Sequence, residues 1–352
     1  MTFAILVVLI FLAAANGAND VSKGVATLAG AGVTAYRTAI LWGTATTLIG
    51  ALLSIEIGRS MGKLFSKGIV DGTPTAAFAL AVLLGTTSWV TFASIAKLPV
   101  STTHAIVGSL VGAGLVLAPS SVQWSGVLQR FVLPLLLSIV VAYTISAALA
   151  IGVQFAGRLR RSRNPELVPV GTRPGDEAGA PSMERRTEST TATASDTARR
   201  ARVITVLHWV SSGATGCARG LNDTPKIAAI GGFALLPAGF SATSVSLMVA
   251  AAMAGGSLFG VRVARTLGEK VVRMSHTEGF TANATTACLV GAGAVLALPM
   301  STTQVSTGAI VGSAGGQLSR ISGKTLRDFA IAWTATPICA GLVAAIVFGI
   351  AG

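Results

Sequence analysis

Two short polar stretches interrupt an otherwise apolar chain. LPVSTTHAIVG occupies residues 98–108 and LPMSTTQ occupies 298–304. Each sets three hydroxyl residues two positions after a proline and just ahead of an apolar run: Ser101, Thr102 and Thr103 in the first, Ser301, Thr302 and Thr303 in the second. Proline ends an incoming helix, and Ser or Thr caps the next one. The pattern predicts hydroxyls and unpaired backbone N–H groups gathered at a positive helix N-terminus, which is chemistry for an anion. A second matched pair, Asn19-Asp20 and Asn222-Asp223, puts a carboxylate within or at the end of an apolar helix. An intramembrane charge costs about 2.5–3.5 kcal/mol on insertion scales, so two at matching positions predict cation handling. Flanking Gly17, Gly24, Gly216 and Gly220 predict broken helices with free carbonyls. Helix capping or small-residue packing explains one such motif taken singly. It does not explain the same motif written twice.

Other polar residues carry weaker expectations. Lys23 and Lys226 occupy matching positions. Their expected roles are neutralising a local acid, meeting a substrate at a mouth, or snorkelling from a helix end. His104 aligns with Gln304 and is expected to be a plain hydrogen-bonder, while Lys97 has no charged counterpart. Glu56, Glu278 and His276 are expected near helix ends. Cys217, Cys288 and Cys339 form no metal-ligand spacing and are expected to be packing residues.

The elements that must position these residues are long apolar segments. Runs of the length that crosses a bilayer as helix cover 39–57, 76–96, 131–155, 241–259 and 329–350. The chain is 52% hydrophobic and only 11% charged, too little charge to clothe a soluble protein of this size. The net charge of +13 is concentrated in short stretches between apolar runs, as the positive-inside rule expects, and aromatics are too few for a nucleic-acid stacking platform. The N-terminal apolar run has no Lys or Arg before Lys23, so it reads as the start of a retained membrane helix and not a signal peptide. No Walker A loop, G-x-S-x-G or H-E-x-x-H occurs, so neither ATP hydrolysis nor a familiar enzyme is expected.

Residues 157–202 are rich in Arg, Pro, Ser, Thr and Glu and predict a disordered cytoplasmic linker. It divides the chain into a first transmembrane repeat, 1–156, and a second, 203–352. NDVSK at 19–23 returns as NDTPK at 222–226, AIVGS at 105–109 returns at 309–313, and RSMGK at 59–63 is echoed by RTLGE at 265–269. Matches in the same order mark an internal repeat. Crossings at 3–30, 38–57 and 126–156, with a hairpin or helix pair at 76–118, give each half an odd count. The halves are then inverted, with both chain ends outside. The expected fold is an all-α polytopic membrane protein of two inverted-topology repeats, with broken helices and re-entrant hairpins, in the cell membrane.

At GANDVSKG, LNDTPK and the twin P-x-S-T-T motifs the sequence resembles the inorganic phosphate transporter family often called PiT, across both halves. The resemblance implies symport of phosphate with sodium or protons. It implies phosphate contacts at Ser101, Thr102, Thr103, Ser301, Thr302 and Thr303. It also implies cations at Asn19, Asp20, Asn222 and Asp223, with sodium at the two acids. The common family form is closer to G-A-N-D-V-A-N-A, so Ser22 and Lys23 depart from it, and a lysine there could displace a sodium ion. The resemblance extends to relatives that move sulfate, so the alternative expectation is a permease of the same architecture for sulfate or another tetrahedral oxyanion. No cofactor is expected beyond the co-transported ion. The expected partners are inorganic phosphate, sodium or a proton, the lipid bilayer and further copies of the chain, but no nucleic acid.

Overall fold

The computed structural model describes residues 1–72, 74–163, 183–270, 274–315 and 317–351. In hydrocarbon every backbone N–H and C=O must find a partner within the chain, and a helix satisfies them locally. The described residues are accordingly helical, and their only β pairing is one bridge between Val70 and Val122. The first half runs α1 (Thr2–Asp20), α2 (Ser22–Gly30), α3 (Tyr36–Ile57), α4 (Arg59–Lys67), α5 (Ala76–Ile95), α6 (Thr102–Leu117), a short α7 (Trp124–Gly126) and α8 (Leu133–Arg163). The second runs α9 (Met183–Leu235), α10 (Ala242–Ser257), α11 (Val261–Lys270), α12 (His276–Val295), α13 (Thr302–Ser313) and α14 (Gly323–Ala351).

The halves exchange partners in a regular way. α1 packs on α5 and α10, and its counterpart α9 packs on α12 and α3. The α5–α6 hairpin leans on α14 of the other half, and the α12–α13 hairpin leans on α8. Small residues permit these approaches. A Cβ on Gly112 of α6 would stand 2.1 Å from the Gly341 carbonyl oxygen of α14, and one on Gly312 of α13 would stand 2.4 Å from that of Tyr143 in α8. Without a strong hydrophobic drive between helices in lipid, such close backbone contact supplies the packing.

Among the described residues five helical segments are long and apolar enough to cross a membrane, or six if α10 and α11, bent by 64°, are one span. Large apolar side chains such as Phe3, Ile49, Leu136, Leu137 and Ile346 project outward, where lipid accommodates them. The polar residues of α9 and α12 turn inward instead: Arg219, Asn222, Asp223, Lys226, Asn283, Thr285 and Thr286 are all buried.

One expectation changes. At the Asn-Asp motifs the helix breaks only in the first half, where Val21 separates α1 from α2; α9 continues through Asn222-Asp223 and even through Pro225, and the bend in the second half falls between α10 and α11. The reason lies in what the glycines do. Gly216 and Gly220 do not loosen α9; they let it approach α3. A Cβ on Gly216 would fall 2.3 Å from Thr46 Oγ1, and one on Gly220 2.2 Å from the Thr47 carbonyl oxygen. Within the expected linker, helix continues to Arg163 and resumes at Met183, and 164–182 lies outside the described residues.

Candidate functional site

The two hydroxyl triplets open helices α6 and α13, as their spacing predicts. Ser101 and Ser301 are the N-caps, accepting from the backbone N–H of His104 at 3.3 Å and of Gln304 at 3.2 Å. Each hairpin turn before them uses a left-handed residue, Lys97 (φ 63°) and Ala297 (φ 54°), at matching positions. Lys97 is exposed there and stands away from the buried polar groups.

The tertiary fold brings the triplets together. Thr303 Oγ1 donates to the Val100 carbonyl at 2.7 Å, and Thr103 Oγ1 donates to the Met300 carbonyl at 3.4 Å. Val100 and Met300 are the residues immediately before the two caps, so each triplet reaches across the repeat to the root of the other. Thr102 accepts from Asn16 at 2.9 Å, and Thr302 donates to Asp20 Oδ2 at 3.2 Å. All six hydroxyl residues are buried.

The Asn-Asp pairs line the same region. Asn19 accepts from the Val100 N–H at 3.2 Å and donates to the Leu98 carbonyl at 3.0 Å. Asn222 donates to the Met300 carbonyl at 3.2 Å and to Asp223 Oδ1 at 2.8 Å. These asparagines therefore fix the loops that carry the caps.

Both lysines are wholly inside, which excludes snorkelling. Lys23 is 0% and Lys226 1% exposed. The Lys23 ammonium donates to Asp20 Oδ1, to Asn19 Oδ1 at 3.1 Å and, more distantly, to the carbonyls of Asn19 and Val100, both at 3.5 Å. Lys226 donates to Thr103 Oγ1 at 2.9 Å and the Met300 carbonyl at 3.0 Å, stands 3.5 Å from Asp223 Oδ1, and lies 5.8 Å from the centroid of the Phe65 ring. The oxygens expected to serve a sodium ion at Asn19 and Asp20 are thus the partners of an ammonium group.

Arg219 was not singled out from the sequence. Its signal was present, a charge inside an apolar segment three residues before Asn222. It is 1% exposed and donates through Nη2 to Thr47 at 2.7 Å and Ser257 at 3.2 Å. Its Nε and Nη1 have no protein partner, nor do the buried acceptors Asn222 Oδ1 and Asp223 Oδ2. When Asn19 is laid on Asn222, Arg219 falls on Asn16, so the repeats differ here by a full charge.

A second asymmetry lies farther along α9. His208 Nε2 stands 3.1 Å from Thr27 Oγ1, which also accepts from Asn283 at 2.7 Å. The matching positions in the other half are Ile5, Ile230 and Leu83, all fully buried in one apolar cluster. Glu56 and Glu278 sit near helix ends as expected. Glu56 pairs with Arg59 at 2.8 Å, and Glu278 caps α12 through Ser275 and meets Arg320 at 2.6 Å. His276 stands 6.3 Å, ring to ring, from His208. The three cysteines are free; Cys217 is half-buried against Gly50. No group of three or more His, Cys, Asp or Glu able to hold a metal occurs among the described residues.

This geometry sits in a chain with clear relatives. Residues 16–344 match the model of the phosphate transporter family. A protein of Mycobacterium bovis named probable low-affinity inorganic phosphate transporter is 27% identical over 346 residues, covering 95% of this chain and 74% of its own. One of the same name from Rhizobium meliloti is 26% identical over 365 residues, covering 98% of this chain and 94% of its own. A solved structure described as the sodium-dependent phosphate transporter shares the fold, with a TM-score of 0.76 at 22% identity, over 99% of this chain and 98% of that one. The buried polar site, the multi-pass helical fold and the family match over nearly the whole chain agree: this protein belongs to the phosphate transporter family, whose members are transporters and not enzymes.

Proposed function

We propose that this protein is a secondary transporter that carries inorganic phosphate across the cell membrane together with a cation, with the anion held between the two Ser-Thr-Thr helix starts. The observation that carries the reading is the crossed pair of contacts, Thr303 to Val100 and Thr103 to Met300, which sets two positive helix N-termini against each other in a buried region. Ser101, Thr102, Thr103, Ser301, Thr302 and Thr303 supply hydroxyls, and Lys23, Lys226 and Arg219 supply positive charge around them.

The unpaired acceptors favour phosphate over sulfate. Near neutral pH phosphate keeps at least one P–OH donor, and sulfate keeps none. Asp223 Oδ2 and Asn222 Oδ1 are buried acceptors without a partner, so they welcome a protonated oxygen and repel a bare one. The exchange of partner helices between the halves is in keeping with two related repeats, and the Arg content of the 157–202 linker favours a cytoplasmic linker with inverted halves and both chain ends outside.

The test is uptake of radiolabelled phosphate into proteoliposomes of the purified protein, with and without ion gradients, against labelled sulfate. Accumulation of phosphate in preference to sulfate, driven by a cation gradient, is expected. Preferred accumulation of sulfate would make it the substrate. Rapid equilibration with no accumulation under any gradient would make the protein a channel.

A further inference from the structure

We propose that Lys23 and Lys226 are tethered cations standing where a coupling sodium ion would bind, so that sodium does not drive transport by this protein. The proposal deepens the phosphate reading above and narrows its coupling ion.

The first argument is coordination. A buried cation site is a cluster of oxygens: a carboxylate, an amide oxygen, backbone carbonyls, a hydroxyl. Lys23 Nζ already sits in such a cluster, made by Asp20, Asn19 and Val100. Lys226 Nζ sits in the counterpart, made by Thr103, Met300 and Asp223. An ammonium has three donors, and each of these lysines has at least three oxygen partners. Both stems are fixed to helices at matching repeat positions and are shut away from water, so neither head can withdraw to solvent.

The second argument is charge. Like charges about 4 Å apart repel strongly enough, at an effective dielectric near 20, to weaken a sodium ion's affinity roughly a thousandfold. The buried region also has no need of a mobile cation to accept an anion. Lys23, Lys226 and Arg219 outnumber Asp20 and Asp223 by one, and Arg219 lies one helical turn before Asp223. A singly charged phosphate brings this group of charges to neutrality. The cation handling expected at the two acids is then supplied by cations that belong to the chain. Of the two coupling ions considered, the proton remains.

The test uses the intact protein in two measurements. In proteoliposomes with the same pH gradient and membrane potential, labelled phosphate uptake is compared in sodium and in choline. Purified protein is separately assayed for binding of radioactive sodium, with and without phosphate. Equal uptake and no saturable sodium binding are expected. Stimulation of uptake by sodium of about tenfold, or saturable sodium binding, overturns the proposal and leaves the phosphate reading intact. Absence of phosphate uptake in both salts, with no sodium bound, sinks the phosphate reading alone and supports the occupied cation sites. Lys23→Ala frees the Asn19, Asp20 and Val100 oxygens and is expected to gain saturable sodium binding. A folded Lys23→Ala protein that binds none overturns the claim that the ammonium fills a cation site. If that variant does not fold, the sodium-binding assay on the unmodified protein decides.

Discussion

Thr303, in the second half of the chain, donates its hydroxyl to the carbonyl of Val100 in the first, at 2.7 Å. The reverse contact, Thr103 to Met300, is longer at 3.4 Å. Together they lock two helix starts root to root, and the difference in length makes the two halves unequal. Thr303→Val removes the hydroxyl while keeping the shape. It is expected to cost about 0.5–1.5 kcal/mol, with Thr103→Val costing more, because that change also removes the 2.9 Å acceptor of the buried Lys226 ammonium. Thermal unfolding of both single variants and the double variant in detergent measures this. An equal effect from the two would contradict the asymmetry.

Ser101 and Ser301 cap α6 and α13, and they are also proposed phosphate contacts. Comparing Ala with Gly separates these roles. A capping serine replaced by Ala costs about 0.5–2 kcal/mol of stability, and by Gly only a few tenths. Ser301→Ala is therefore expected to unfold at lower temperature than Ser301→Gly. Both are expected to weaken phosphate transport by about ten- to a hundredfold, because each loses a hydroxyl toward a charged ligand. If the Gly variant transports normally, the hydroxyl is a cap and nothing more.

Asp20 and Asp223 hold their lysines differently. Lys23 binds Asp20 directly, whereas Lys226 stands 3.5 Å from Asp223 and leans on Thr103 and Met300. Removing one member of a buried ion pair costs about 3–5 kcal/mol, because the other charge is stranded. Asp20→Asn should therefore lower the unfolding temperature more than Asp223→Asn. Adding Lys23→Met to Asp20→Asn should restore part of the loss. No recovery in the double variant would mean the pair is not the dominant interaction.

Gly50 of α3 meets α9 at Cys217. A Cβ there would lie 1.8 Å from the Cys217 carbonyl oxygen, a backbone atom that cannot step aside. Gly50→Ala is expected to cost about 1–3 kcal/mol by overpacking, and to disturb the nearby Arg219–Thr47 hydrogen bond by prising α3 from α9. Gly152 has nothing within 4 Å of a built Cβ, so Gly152→Ala is the matched control. Comparable yield and melting of the two variants would show that the helices part without penalty.

Sequence alone was enough to find the long apolar helices and to single out polar residues that the fold buries. Bilayer physics writes these plainly. A spanning helix must be long and apolar, and a buried charge must have a reason, so exceptions such as Ser101, Asp20 and Asn222 are visible at once. Even the N-caps were legible, since proline followed by serine has few other readings. The partners of those residues were not legible. Whether Lys23 faced a membrane surface, a mouth or an acid depended on the direction of its stem, which only the fold decided by setting the start of α2 against Asp20, Asn19 and the Val100 carbonyl. Gly216 and Gly220 read as helix breakers because glycine lowers helix propensity. The structure uses them instead for close contact with α3, and a glycine's neighbours are not written beside it in the chain. Arg219 was hidden for a related reason: its charge was apparent, but its depth, its two hydroxyl partners and its unpaired nitrogens come from three helices meeting. Local chemistry is encoded residue by residue, whereas the balance of buried charge is a sum over residues that only the tertiary fold brings together.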